Sequence, residues 1–200
     1  MTEFWLVRHG QTNWNLEGRY QGSRDIELNE TGIRQAESAA GRLSDKPFEA
    51  VYSSPLRRCL RTARMIAAAN VSEPEVEVDD RLVEVNLGKW EGVLFTDIQR
   101  DYPDELEARR LDPLHARPPG GESALEVAGR MALAVDDIAG RHPEGPVLLV
   151  SHGLALASLL CLAQDVPLER VYGMVPENAD PVVVQWQPGL RSPEKQVKNG

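Results

Sequence analysis

With 200 residues, 42% of them hydrophobic and 26% charged, the chain suits a single globular domain that can bury a core without disulfide or metal staples. Its formal net charge of −9 argues against nucleic acid as a partner, because a phosphate backbone selects basic surfaces; a small anion would have to be met by a local cluster of cationic groups. No apolar stretch reaches the ~20 residues that span a bilayer, and the start runs into apolar sequence with no basic leader, so neither a membrane partner nor a signal peptide is expected.

The first strand is expected over residues 3–8, where Phe4-Trp5-Leu6-Val7 is continuously apolar, the pattern of a strand buried on both faces. A polar, glycine-containing loop follows to about Leu28. Asn29 stands where an N-cap belongs, and Ile33, Ala36, Ala40 and Leu43 recur at helical spacing. Residues 48–52 read as a second strand. Ser53-Ser54-Pro55 reads as a helix start, with a hydroxyl cap and Pro in the first turn, and Leu56, Leu60, Ala63 and Ala67 form that helix's inner stripe. Residues 76–78 make a short third strand. Residues 93–119 mix short helical pieces with turn formers and end in Pro118-Pro119-Gly120-Gly121. A long helix follows, with Leu125, Ala128, Ala132, Val135 and Ile138 on one face. Val147-Leu148-Leu149-Val150 is the clearest strand, residues 153–163 are helical, and 182–186 form a last strand at an edge.

Strands alternating with helices predict a three-layer α/β/α sandwich around a mostly parallel sheet. One catalytic domain is expected over residues 1–188, with 93–119 as a small inserted cap or lid and 189–200 as a frayed tail. Cys59 and Cys161 fall in apolar helical patterns. They read as free buried thiols, which places the chain in a reducing compartment, the cytoplasm.

Arg8-His9-Gly10 lies at the carboxyl end of one predicted strand and Ser151-His152-Gly153 at the carboxyl end of another. Ligands of open α/β sheets bind outside those ends, so neighbouring strands would aim both histidines at one pocket. The second strand feeds directly into a helix, whose first amides, around Gly153, can meet an anion with the helix dipole behind them. Arg57-Arg58 offers two guanidinium groups at another helix start, and guanidinium matches phosphate oxygens bidentately. Singly, each feature has a structural explanation. Together they describe an anion cradle around two histidines. His115 and His142 have no ligand spacing, and no metal site is expected.

Taken in order, these residues resemble the histidine phosphatase superfamily, in its phosphoglycerate mutase-like branch. The resemblance starts at Leu6-Val7-Arg8-His9-Gly10-Gln11-Thr12 with Trp14-Asn15, and continues through Gln21-Gly22, Leu28, Thr31-Gly32 and Gln35-Ala36. It passes through Ser53-Ser54-Pro55-Leu56 with Arg58 and Thr62-Ala63, then Leu82, Glu84, Gly88 and Trp90-Glu91-Gly92. It closes on Gly120-Gly121-Glu122-Ser123 and Val150-Ser151-His152-Gly153. The series spans about residues 3–180 and is specific as a whole, whereas one Arg-His-Gly is a weak signal. The resemblance implies His9 as the nucleophile that carries the phosphoryl group. It implies Arg8, Arg58 and His152 as the phosphate pocket, with Asn15 and the Gly153 amide as further donors. Glu84 is implied as the general acid, and Gln21 and Gly22 as contacts to substrate or the phosphate rim. Arg57 points about 100° away from Arg58 on a helix, so Arg58 is the expected pocket residue. Trp14 and Trp90 are expected to anchor loops.

The implied activity is metal-independent and cofactor-free hydrolysis of small phosphate monoesters through a phosphohistidine, with a small phosphorylated metabolite as partner and a homodimer as a family-level expectation. Two alternatives stand beside it. One is a cofactor-dependent phosphoglycerate mutase, which the 35 residues between Glu84 and Gly120 leave little lid to support. The other is a catalytically silent phospholigand-binding protein. The lid arginines Arg100, Arg109, Arg110 and Arg117 stand beside Asp101, Asp104, Glu105, Glu107 and Asp112, a near balance that argues against a strongly basic polyphosphate clamp.

Overall fold

The structure is a computed structural model that describes residues 1–189 and Pro193; apart from Gly189 and Pro193, the tail expected over 189–200 lies outside the described residues. Five strands, β1 (Thr2–Arg8), β2 (Ala50–Ser53), β3 (Val76–Val78), β4 (Pro146–Ser151) and β5 (Pro181–Trp186), form one sheet in the order β3-β2-β4-β1-β5. The β1–β4, β2–β4 and β2–β3 pairs are parallel, and β5 runs antiparallel along the β1 edge.

The pleat sorts the apolar runs into two cores. Phe4, Leu6, Tyr52, Val147 and Leu149 face α6 (Ala124–Arg141) and α7 (Gly153–Gln164), while Val7, Val51, Leu148 and Val150 face α2 (Glu30–Leu43) and α3 (Arg57–Ala69). Helices on both faces explain why the strand signals are continuous rather than alternating. Each fully buried Phe, Leu or Val contributes about 1.5–3 kcal/mol relative to exposure. No helix of the described residues is long and apolar enough to cross a membrane. Two short helices, α4 (Phe95–Asp101) and α5 (Pro103–Leu111), fill the inserted region 93–119.

Helix starts follow their caps. Asn29 Oδ1 accepts from the Gly32 amide at 2.8 Å at the head of α2. Ser123 and Glu126 form a reciprocal capping box at the head of α6. The expected loop after β1 contains a helix, α1 (Asn13–Glu17), begun by a capping box between Thr12 and Asn15. It buries no residue, so hydrophobic periodicity carries no trace of it. The helix expected at Ser53-Ser54-Pro55 begins two residues later, with Leu56 as N-cap and no side-chain cap. Its inner stripe is Cys59, Thr62, Ala63, Ile66 and Ala67, while Leu56 and Leu60 are only half-buried. The stripe has turned because Arg58 is itself buried on the inner side. The second strand correspondingly occupies Ala50–Ser53 rather than 48–52.

Candidate active site

Register sets the site. Arg8 of β1 lies opposite Ser151 of β4, so the residues that follow, His9 and His152, leave adjacent strands side by side. Their rings are 5.2 Å apart between centroids, edge to face. Backbone bonds fix this junction: the His9 amide donates to Ser151 O at 3.0 Å, and the Ala179 amide to Arg8 O at 2.8 Å.

His9 is 3% exposed. Its Nδ1–H donates to Gly10 O at 2.7 Å, and the Arg58 Nε–H donates to its Nε2 at 3.2 Å. A carbonyl can only accept and a guanidinium can only donate, so both bonds demand the same tautomer, with the lone pair on Nε2. Burial, then the Arg58 charge, hold the His9 pKa well below the ordinary histidine value, with the Gly10 bond opposing them. The loop is braced from behind. The Gly10 amide donates to Thr62 Oγ1 on α3 at 3.2 Å, and a Cβ at Gly10 would collide with the backbone carbonyl of Gly32 on α2.

The two cradle arginines are aimed by backbone oxygens. Arg58, fully buried, donates to Gly22 O at 2.9 Å and Arg24 O at 2.5 Å. Arg8 donates through Nη1 to Pro176 O at 2.9 Å, and its buried Nε has no hydrogen-bond partner. Burial lowers the pKa of both guanidinium groups from their ordinary value. Arg57 turns outward to Asp25 and Glu27, as the helical angle predicts.

Asn15 spends its Oδ1 on the Thr12 amide and hydroxyl, which leaves its side-chain NH2 as a donor. Gln21 is held by the Thr12 hydroxyl at 3.0 Å. Gly22 adopts φ +53°, the left-handed region, beside the Glu91 carboxylate. Glu84 sits at the head of α7, accepting from the amides of Val85 (3.0 Å), Leu154 (3.1 Å) and Ala155 (3.1 Å). It serves as the side-chain cap that His152, the N-cap residue, does not provide.

Arg8, His9, Asn15, Gln21, Gly22, Arg58, Glu84 and Gly153 all line one cavity of about 270 Å³. His152 differs from the rest: it is fully buried behind His9 and is not part of the cavity wall. Its pKa is likewise held well below the ordinary value, by burial first and Arg58 next. Trp14 packs beside Gly92 and Trp90 is fully buried; both hold loops. His115 is paired with Asp112, away from the cavity.

Three contributors escaped sequence reasoning. Asn178 donates to the His9 carbonyl at 2.7 Å from 169 residues along the chain, where no local pattern announces it. Ser54, read as a helix cap, meets His152 Nε2 at 2.8 Å instead. Arg109 on α5 lines the cavity with Tyr20 and Tyr172. Its guanidinium is 4.0 Å from the Tyr172 ring centroid, 5.8 Å from Trp90 and 6.0 Å from Tyr20. Arg100, Arg110 and Arg117 are paired with acids, whereas Arg109 has no carboxylate partner among the described residues. The near balance of lid charge conceals this one cation.

The family model of the histidine phosphatase superfamily (branch 1) matches residues 4–197. Phosphoserine phosphatase 1 of Hydrogenobacter thermophilus is 33% identical over 187 residues, covering 94% of this chain and 88% of that protein. A bifunctional protein of Mycobacterium tuberculosis is 41% identical over 165 residues, 82% of this chain, which spans only 44% of that relative's length. Among solved structures, mycobacterial glucosyl-3-phosphoglycerate phosphatase in complex with VO3 superposes with a TM-score of 0.82 at 33% identity, over 92% of this chain and 96% of that one.

Proposed function

The chain belongs to the histidine phosphatase superfamily and is a phosphatase of small phosphate monoesters, and we propose that it works by two in-line phosphoryl transfers through His9. The observation that carries this reading is the tautomer of His9. Gly10 O holds the Nδ1 proton, so the ring lone pair is on Nε2, where it accepts the Arg58 Nε–H until a phosphoryl group takes that donor.

In the first transfer Nε2 attacks phosphorus while the bond to the ester oxygen breaks, and the Glu84 carboxyl gives its proton to the departing alkoxide. The phosphorylated ring keeps its Nδ1 proton and gains positive charge, which Gly10 O stabilises. In the second, the Glu84 carboxylate takes a proton from water as that water attacks phosphorus. The P–N bond breaks, its electron pair returns to Nε2, and phosphate leaves. Negative charge on the three equatorial oxygens is met by fixed donors: Arg8 Nε, the Arg58 guanidinium, the Asn15 amide, the Gly153 N–H and His152. The Arg58 Nε–H, which rests on Nε2 in the free site, turns to a phosphoryl oxygen when phosphorus arrives.

Residues 93–119 act as the lid of one catalytic domain over 1–188. The relatives' names point to acidic monoesters, phosphoserine and glucosyl-3-phosphoglycerate, and Arg109 suits a leaving group that brings its own carboxylate. Free, buried Cys59 and Cys161 suit a reducing compartment, and we place the chain in the cytoplasm; a homodimer is a family-level proposal that light scattering would decide. All roles are filled by side chains and amides, so full activity is expected in excess chelator.

The decisive experiment mixes enzyme with a phosphate monoester and quenches in alkali. An acid-labile, alkali-stable phosphoryl group on His9, absent from His9→Ala, is expected. An acid-stable phosphoryl group, or none with turnover intact, would overturn the mechanism. Isomerisation of phosphoglycerate in the presence of a bisphosphoglycerate primer would mark the mutase instead.

A further inference from the structure

Ser54 has no part in the transfers above, yet it is fully buried between β2 and α3 against the second histidine. Its Oγ lies 2.8 Å from His152 Nε2. The Cys59 sulfur lies along the ring edge, 3.4 Å from Nε2 and 3.6 Å from Nδ1, and its thiol donates to Ser151 O at 3.3 Å, so among the described residues Nδ1 has no other partner. The serine stands two residues before the N-cap of α3, and α3 begins with no side-chain cap. The hydroxyl is committed elsewhere.

The direction of the Ser54–His152 bond follows from placing protons. The Leu56 amide donates to Ser54 Oγ at 3.4 Å. That uses one lone pair and leaves the O–H in need of an acceptor, since a buried donor without one is costly. Two acceptors are in reach: the Cys59 sulfur, a weak one, and an imidazole lone pair, a strong one. The hydroxyl proton therefore goes to Nε2. His152 is neutral in this surrounding, because burial and Arg58 disfavour its charged form. Its one ring proton is then on Nδ1.

We infer that Ser54 is a positioning residue for phosphoryl transfer: by donating to His152 Nε2 it fixes the Nδ1–H tautomer, so that His152 offers the transferring group a proton rather than a lone pair. The inference rests on the reading of His152 as part of the phosphoryl pocket. It assigns the serine of the Ser53-Ser54-Pro55 stretch to chemistry through His152 and not to the helix that follows. Without Ser54 the neutral ring is free to put its proton on Nε2, and the nitrogen left to face phosphoryl oxygens would repel them.

Histidine-selective 15N NMR on the full-length protein reads the tautomer without turnover. The wild type should show His152 protonated on Nδ1, with Nε2 a hydrogen-bonded acceptor. Ser54→Ala should shift the Nε2 resonance and mix the tautomers. Its kcat should fall about 10–100-fold, the worth of one charge-assisted hydrogen bond, with KM nearly unchanged. Ser54→Thr, which keeps the hydroxyl, should restore both readouts, and Ser54→Ala should cost nothing more in a His152→Ala background. An Nε2-protonated His152 in the wild type overturns the inference, even if Ser54→Ala fails to fold. An equal loss of kcat from Ser54→Ala with and without His152 overturns it too, because the serine would then serve only the fold. Full kcat in His152→Ala would overturn the parent reading instead, and is distinguishable because the tautomer change in Ser54→Ala would remain.

Discussion

The two ends of the cavity hold their cations by different means. At the sheet end, Arg58 is tied to Gly22 O and Arg24 O, and Arg8 to Pro176 O. Backbone carbonyls are immobile and directional, so these guanidinium groups are already held in place, and in the proposed role they would lose little freedom on binding phosphate. At the lid end, Arg109 rests on the faces of Tyr172, Trp90 and Tyr20. Attraction to a ring face is broad in angle, so this guanidinium can slide toward leaving groups of different length. On the proposed mechanism, the first end suits a transition state of fixed shape and the second a recognition that tolerates variation.

Substitutions should separate the ends. His9→Ala removes the proposed nucleophile, and kcat for any monoester should fall by roughly 10⁴-fold or more; a chromogenic phosphate ester reads this, and residual turnover near wild type would end the distinction at once. Glu84→Gln should cost about 10²–10⁴-fold in kcat for alkyl esters, and much less for p-nitrophenyl phosphate, whose leaving group needs no proton. Equal losses on both substrates would mean that Glu84 holds α7 rather than delivering a proton. Arg58→Lys keeps the charge but loses the fork to two carbonyls, so kcat should drop about 100-fold with KM less affected. At the other end, Arg109→Ala should raise KM about tenfold for phosphoserine and leave kcat, and KM for phenyl phosphate, almost unchanged. A fall in kcat of the Arg58 size would erase the division between the two ends.

The smallest effect is on stability. The pKa values of His9 and His152 are lowered in the folded state, so below pH ~6.5 the unfolded chain takes up protons that the native chain refuses. Stability is therefore fully retained above that pH and declines as pH falls through it, by up to about 1.4 kcal/mol per pH unit for each histidine. Denaturant midpoints at pH 7 and 5.5 should fall less for His152→Gln than for the wild type. An identical fall would show that the buried pair does not control acid sensitivity. Lid substitutions such as Arg109→Ala should leave this slope untouched.

The inner end was far more legible in the sequence than the outer. Arg8, His9 and Gly153 stand next to strands whose apolar runs announce their own ends, while the helical angle shows only that Arg57 and Arg58 diverge and the resemblance picks Arg58. The lid offers no such frame. Arg109 differs from Arg110 only in which carboxylates and rings it meets, and composition averages that away. α1 was invisible because it buries nothing, and α3 starts without a side-chain cap while Ser54 is bonded to His152, 98 residues later in the chain.

What the sequence determined by itself was the layered α/β plan and the strand ends that carry both histidines. These follow from local periodicity and from neighbours along the chain. Only the tertiary structure decided the rest: that β4 inserts between β1 and β2, that Asn178 reaches the His9 carbonyl, that Ser54 meets His152, and that Arg109 lines the cavity. Each is a contact between residues far apart in sequence, and the order and register of the sheet bring those residues within hydrogen-bond range. Residue identities set what such a contact can do, and the packing of distant segments sets whether it is made.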